Sequence, residues 1–196
     1  MSILNELMDQ FSGPALDALS QQLGTDPGQT QSAISAALPM IVGAMAKQAS
    51  TQEGAEALHQ DIAQNHDGSI MDNLTGFLSS TDNGLGPAIL GQLFGQKQGH
   101  VEAGVSQVSG LDAGVTGKLL ENLAPVVMGM LGRQQQGGGM DIGGLASVLM
   151  NARGTAQQDT GIAGTAMSMI TNMLDQDRDG NPLDDIAGML GNFLKK

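Results

Sequence analysis

Apolar positions recur along this chain at helical spacing, and the valine and aromatic alternation typical of strands is missing. Residues 3–11 and 14–22 read as short amphipathic helices. Asp26 is a good N-cap, with Pro27 at the first helical position. The stretch after it, "PGQTQSAISAALPMIVGAMA" (27–46), is apolar almost all round, the mark of a central buried helix. Pro39 should kink or split it, because proline removes a backbone donor and crowds the preceding turn. Ser50 with Glu53 predicts a capping box for a helix over 51–63, and Ser69 with Asp72 does the same for 70–79. Helices are further expected over 86–94 and 99–108, and Asp112 caps one containing Pro125. Beyond them come 143–152, 161–174 and 183–194. The pattern predicts an all-α fold of about ten short helices.

The chain also resembles itself. Residues 23–46 match 109–132 at a constant offset of 86: Gly24 meets Gly110, Asp26 meets Asp112 and Thr30 meets Thr116. Ile34, Pro39 and Gly43 then meet Leu120, Pro125 and Gly129. A second pair, "QNHDGSIMDNLTGFL" (64–78) and "QDRDGNPLDDIAGML" (176–190), matches at 112. The offsets differ by 26, which fits extra material between the second proline segment and the second Asp-Gly segment. The Gln/Gly-rich run at 133–144, "RQQQGGGMDIGG", reads as a flexible linker supplying part of it. The expected organisation is a first helical repeat (1–82), a second (83–132), the linker (133–144) and C-terminal helices with an Asp-rich loop (145–196). It amounts to an internal duplication in two similar halves.

Composition makes the core unusual. The 196 residues include no Trp, no Tyr and four Phe, so aliphatic side chains, Ala and thirteen Met must fill it. Twenty acidic residues against eight basic ones give a net charge of −12, and Lys195-Lys196 is the only adjacent basic pair. Phosphate neutralisation needs clustered Lys and Arg, so no nucleic acid or anionic membrane partner is expected. Without cysteine there is no disulfide, thiolate nucleophile or Cys-based metal site. The N-terminus has neither the basic region nor the apolar run of a signal peptide. Residues 27–46 open too polar to span a membrane. A cytoplasmic protein without a membrane span is expected.

Chemistry concentrates in "LDQDRDGNPLDDI" (174–186), which holds five aspartates. Asp175, Asp177 and Asp179 occupy positions 1, 3 and 5 of an EF-hand-type calcium loop, Gly180 the sharp turn at position 6. Asn181 at position 7 offers its carbonyl. Position 12 is Ile186 where a glutamate is needed, so Asp185 or Asp184 must reach back from the exit helix. The plainer reading is a capped turn: Asn181 caps, Pro182 starts the helix, and Asp184 and Asp185 suit its positive end. Both can hold together, and calcium ranks slightly ahead because a cation relieves the repulsion among the carboxylates. The metal set is Asp175, Asp177, Asp179, Asn181 and Asp185. In the related loop near His66, Ala63 and Asn65 stand for Asp175 and Asp177, so the turn is needed structurally even without metal.

Other motifs carry less. His59, His66 and His100 show no zinc spacing and read as surface or helix-end residues. Met128, Met130, Met167, Met169 and Met173 could suggest copper(I), but their near-helical spacing favours core packing. "QGGGMDIGG" follows no strand and lacks a P-loop Lys-Ser/Thr. "GIAGTAMSMI" offers small residues for close helix contact, internal or between copies.

Three stretches resemble a known family: "LGTDPGQTQSAISAALPMIVGAM", "NHDGSIMDNLTGFL" and "GPAILGQLFGQKQGHVEAGVSQVSGLDAGVTGKLLENLAPVVMGMLGRQ". They are similar to the YidB-like bacterial family, domain of unknown function 937, over roughly residues 1–133. The resemblance implies an all-helical, homeodomain-like fold and supplies no catalytic residues. The expectation is a non-enzymatic helical protein that binds a protein partner or self-associates, with calcium at 175–185. Two other classes stay open: a hydrolase using paired carboxylates such as Asp184 and Asp185, and a membrane-surface or secreted accessory protein.

Overall fold

The computed structural model describes residues 3–80, 84–138 and 140–158. Among them the chain is helical throughout, with nine α-helices, two short 3-10 helices and no strand.

The first two helices, α1 (Ile3–Gln10) and α2 (Pro14–Leu23), bury one face each, through Ile3, Leu4 and Leu7 and through Ala15, Leu19 and Ser20. Gly24 ends α2 with φ 68°, and the amides of Gly24 and Thr25 donate to the carbonyls of Gln21 and Ser20. That left-handed residue satisfies two orphan carbonyls and turns the chain at once into the next cap. Asp26 then accepts from the Gly28 amide at 2.8 Å and starts α3 (Pro27–Gln48).

α3 is buried on nearly every side, from Thr30 to Ala46. It runs unbroken through Pro39, so the expected split does not occur. Burial of this helix outweighs the one backbone bond that proline removes. Helix α4 (Gln52–Asn65) is capped by Thr51, whose hydroxyl accepts from the Gly54 amide at 3.2 Å. The expected cap Ser50 instead donates to the Lys47 carbonyl, closing the end of α3.

Residues 70–79 are not one helix. A 3-10 segment, Ser69–Asn73, leads into α5 (Leu74–Ser79), which Asn73 caps by accepting from the Gly76 amide at 3.1 Å. Asp67, not Ser69, holds the start of this unit, accepting from the Ser69 amide at 3.0 Å.

The second half follows with α6 (Leu85–Phe94), a 3-10 turn (Gly95–Lys97), α7 (Gln98–Ser109), α8 (Ala113–Gly138) and α9 (Ile142–Gln158). Gly110 closes α7 with φ 74°, as Gly24 closes α2. α8 starts 86 positions after α3 and carries Pro125 inside it. The expected linker is largely helix: 133–138 form the last turns of α8. Gln135 and Gln134 hold it there, the first against His59 and the second donating to Glu6.

α3 and α8 touch each other at the centre. α7 and α9 pack on α3, α6 and α4 on α8, and α5 on α2. Buried residues from Ile3 to Ala152 form one continuous core. No helix among the described residues is long and apolar enough to cross a membrane. The expected helices at 161–174 and 183–194 lie outside the described residues.

Candidate functional site

At the turn "HDGSI" (66–70) the backbone of the first half lies close against α8. α4 ends at His66, whose amide donates to the Ile62 carbonyl at 3.0 Å. Gly68 follows with φ 83°, a conformation that L side chains resist. This turn lies directly on α8. A methyl group built on Gly132 would sit 1.7 Å from the His66 carbonyl oxygen, and one on Gly129 would sit 2.3 Å from the Ile70 side chain. One turn further, Arg133 donates to the Asp72 carboxylate at 3.0 Å. Both ends of that pair are well exposed, so it orients the turn more than it stabilises it.

Between the turn and α8 runs an open groove of about 400 Å³. Asn65, His66, Asp67, Ser69 and Asn73 supply its polar wall, and Ile70, Phe77, Leu85 and Pro125 its apolar one. The polar groups have local partners. Asp67 holds the Ser69 amide, Asn73 holds the Gly76 amide, and Asn65 donates to Asp61 at 2.7 Å. Burial lowers the pKa of His66 against the opposing pull of Asp61 and Asp67. Hydrogen bonds from the Ser69 side chain and amide lower that of Asp67. The groove thus presents an imidazole biased towards neutral beside a carboxylate biased towards charged.

The metal residues read from the sequence, Asp175, Asp177, Asp179, Asn181 and Asp185, lie outside the described residues, as does Asp184. Among the described residues no group of three His, Asp or Glu side chains is gathered for a metal ion. The histidines are dispersed. His100 is exposed, whereas His66 is buried. His59, expected at a surface or helix end, lies mid-helix. Its Nε2 is 3.1 Å from the Met140 carbonyl and 2.7 Å from the Gln135 side-chain amide, joining α4 to the last turns of α8 and to the approach to α9. Met128 and Met130 are core residues; Met167, Met169, Met173 and the segment 161–170 lie outside the described residues.

The sequence marked Gly129 only as a position of the internal match and Asp72 only as part of a cap; the role of Gly132 and the Arg133–Asp72 pair went unread. A signal existed: two glycines three apart in an otherwise apolar helix, followed by a lone cation. Glycine there weakens a helix unless another backbone must come close.

A family model described as bacterial protein of unknown function (DUF937) matches residues 5–134. The chain belongs to this family. No curated protein and no solved structure matches it. The matched region runs from α1 to the Arg133 turn of α8 and so covers the whole groove.

Proposed function

We propose that this member of the DUF937 family is a non-enzymatic helical protein that works by binding a protein partner or further copies of itself. The observation that carries this reading is the state of the groove. Asp67 and Asn73 hold backbone amides of their own turn and Asn65 holds the Asp61 carboxylate, so the apolar edge, with Leu85 nearly half exposed, is the part open to a partner. The net charge of −12 favours cations and basic partners over phosphate-rich ones.

A cytoplasmic location belongs to the same reading, and so does duplication. Two long helices set 86 positions apart, each with a central proline and each preceded by a left-handed glycine, support an ancestral repeat.

Calcium is the cation proposed for the loop of Asp175, Asp177, Asp179, Asn181 and Asp185, where it would order the C-terminal segment. Calorimetric titration of the intact chain with calcium tests the metal part. Heat that saturates, and that Asp177→Ala weakens, is the expected result; no binding at millimolar calcium removes calcium from the proposal. Light scattering over a concentration series, with and without a basic peptide library, tests the binding part. A strict monomer that retains no peptide overturns it.

A further inference from the structure

The groove at the His66 turn carries negative charge that its own residues leave unbalanced. α4 ends there, and a helix gathers partial negative charge on the carbonyls of its last turn. That turn holds no basic residue. Acidic residues stand near it instead. Asp61 accepts from Asn65 of the last turn at 2.7 Å, and Asp67 follows the helix end, exposed. His66 is close to both carboxylates, yet its burial works against the charged form. Among the described residues no Lys or Arg lines the groove, and Arg133, beside Gly68, is matched to Asp72 at 3.0 Å.

The other wall is apolar. Ile70, Phe77, Leu85 and Pro125 come to it from the 3-10 segment, α5, α6 and α8. Ile70 and Phe77 are half-buried and Leu85 is 48% exposed. At about 400 Å³ the groove has room for a few side chains.

We infer that this groove receives a segment of a partner protein in which an apolar side chain lies beside a lysine or arginine. The apolar group sits against Leu85 and Phe77, and the cationic head lies at Asp67 and the carboxyl end of α4. The inference rests on the binding function proposed above and deepens it by naming the kind of partner. Lysine and arginine suit both walls, because their methylene stems pack on apolar surface while the charged head stays at the wet, acidic rim. A second copy of this chain would bring the same acidic rim and a further net charge of −12, so like charges would meet. An anionic membrane surface is repelled for the same reason, and a bare metal ion would leave the apolar wall unused.

Fluorescence anisotropy on the full-length chain at physiological salt tests this. The probe is a fluorescein-labelled peptide of Leu and Lys at amphipathic helical spacing. One matched peptide carries Glu for Lys, and another carries Ser for Leu. The Leu/Lys peptide should bind, the Leu/Glu peptide should not, and the Ser/Lys peptide should bind at least tenfold more weakly. Leu85→Ser should weaken the Leu/Lys complex by about tenfold, as expected for one apolar anchor lost. Asp67→Asn keeps an oxygen for the Ser69 amide and should weaken it by about two- to fivefold, as expected for an exposed ion pair. Met150→Ser is the control. Met150 is 53% exposed on α9 with Arg153 exposed a turn away, and its loss should change nothing. Circular dichroism confirms that each variant is folded. No binding of the Leu/Lys peptide, equal binding of the Glu or Ser peptide, or a complex that Leu85→Ser does not weaken overturns the inference. So does an equal loss in Met150→Ser. A chain that self-associates in light scattering, or holds the peptide at another face, loses this groove as the site while the broader binding function stands.

Discussion

Two threonines at equivalent positions have different surroundings, and that difference is measurable. Thr30 and Thr116 are both fully buried. The Thr30 hydroxyl lies 2.7 Å from that of Thr25 and donates to the Asp26 carbonyl. Leu111 lies 86 positions after Thr25 and offers no hydroxyl, and the Thr116 hydroxyl has no partner among the described residues. Thr30→Val should therefore destabilise by about 1 kcal/mol, the net worth of a hydrogen bond. Thr116→Val should be neutral or stabilising, because it removes a buried polar group that nothing satisfies. Denaturant midpoints of the two variants, at constant m-value, give the comparison. His66 adds a pH dependence. Its pKa is lowered from 6.5 in the folded chain, so below that value the unfolded chain binds more protons. Stability should fall as pH drops from 6.5 towards the folded pKa and then level off. Asp67 acts in a separate window, its contribution being lost only as pH falls below 3.8. His66→Gln should flatten the slope just below pH 6.5 in a stability-versus-pH series and leave the acid limb in place.

At the scale of elements, the glycines of the long helices divide by what lies beside them. Gly132 has a carbonyl oxygen within its reach, and Gly91 in α6 has nothing within 4 Å. Gly132→Ala should cost about 1–3 kcal/mol through forced displacement of the 66–68 turn. Gly91→Ala should stabilise by about 1 kcal/mol through helix propensity alone. Urea denaturation reads both, and a Gly132→Ala variant as stable as the parent would show that the turn does not rest on α8. This contrast also explains what could be read from the residue pattern. Helix type and most boundaries were legible, because Asp26, Pro27, Gly24 and Gly110 act within a few residues of themselves. The fate of Pro39 was not, since local chemistry says break and burial by α7, α8 and α9 says continue. Nor was the helical state of 133–138, where the low helix propensity of Gly137 and Gly138 and the low-complexity Gln/Gly run favour a linker. Contacts to His59 and Glu6, 76 and 128 residues away, decide otherwise. The groove was hidden for the same reason, being made by segments about sixty residues apart. The calcium loop rests on spacing alone and lies outside the described residues.

At the scale of the molecule, the two halves proposed from the sequence need not be two folding units. α3 belongs to the first half yet packs on α7, α8 and α9 of the second, and α4 packs on α8. Leu38 and Leu120, one from each half, are both fully buried in the same continuous core. A chain built as beads would bury each half within itself and melt in two steps. This one interleaves its halves, so neither central helix can lose its neighbours without exposing the other. Calorimetry should therefore show one transition, with calorimetric and van't Hoff enthalpies equal. Leu38→Ala and Leu120→Ala should each cost about 2–5 kcal/mol, which at this chain length is a fall of roughly 5–15 °C in that single midpoint. If one variant splits the transition and moves only its own half, the halves are independent domains. The groove at the His66 turn would then be a joint between them, free to open. If both variants move the one midpoint, the groove is fixed by the core, and the partner proposed for it would meet a preformed surface.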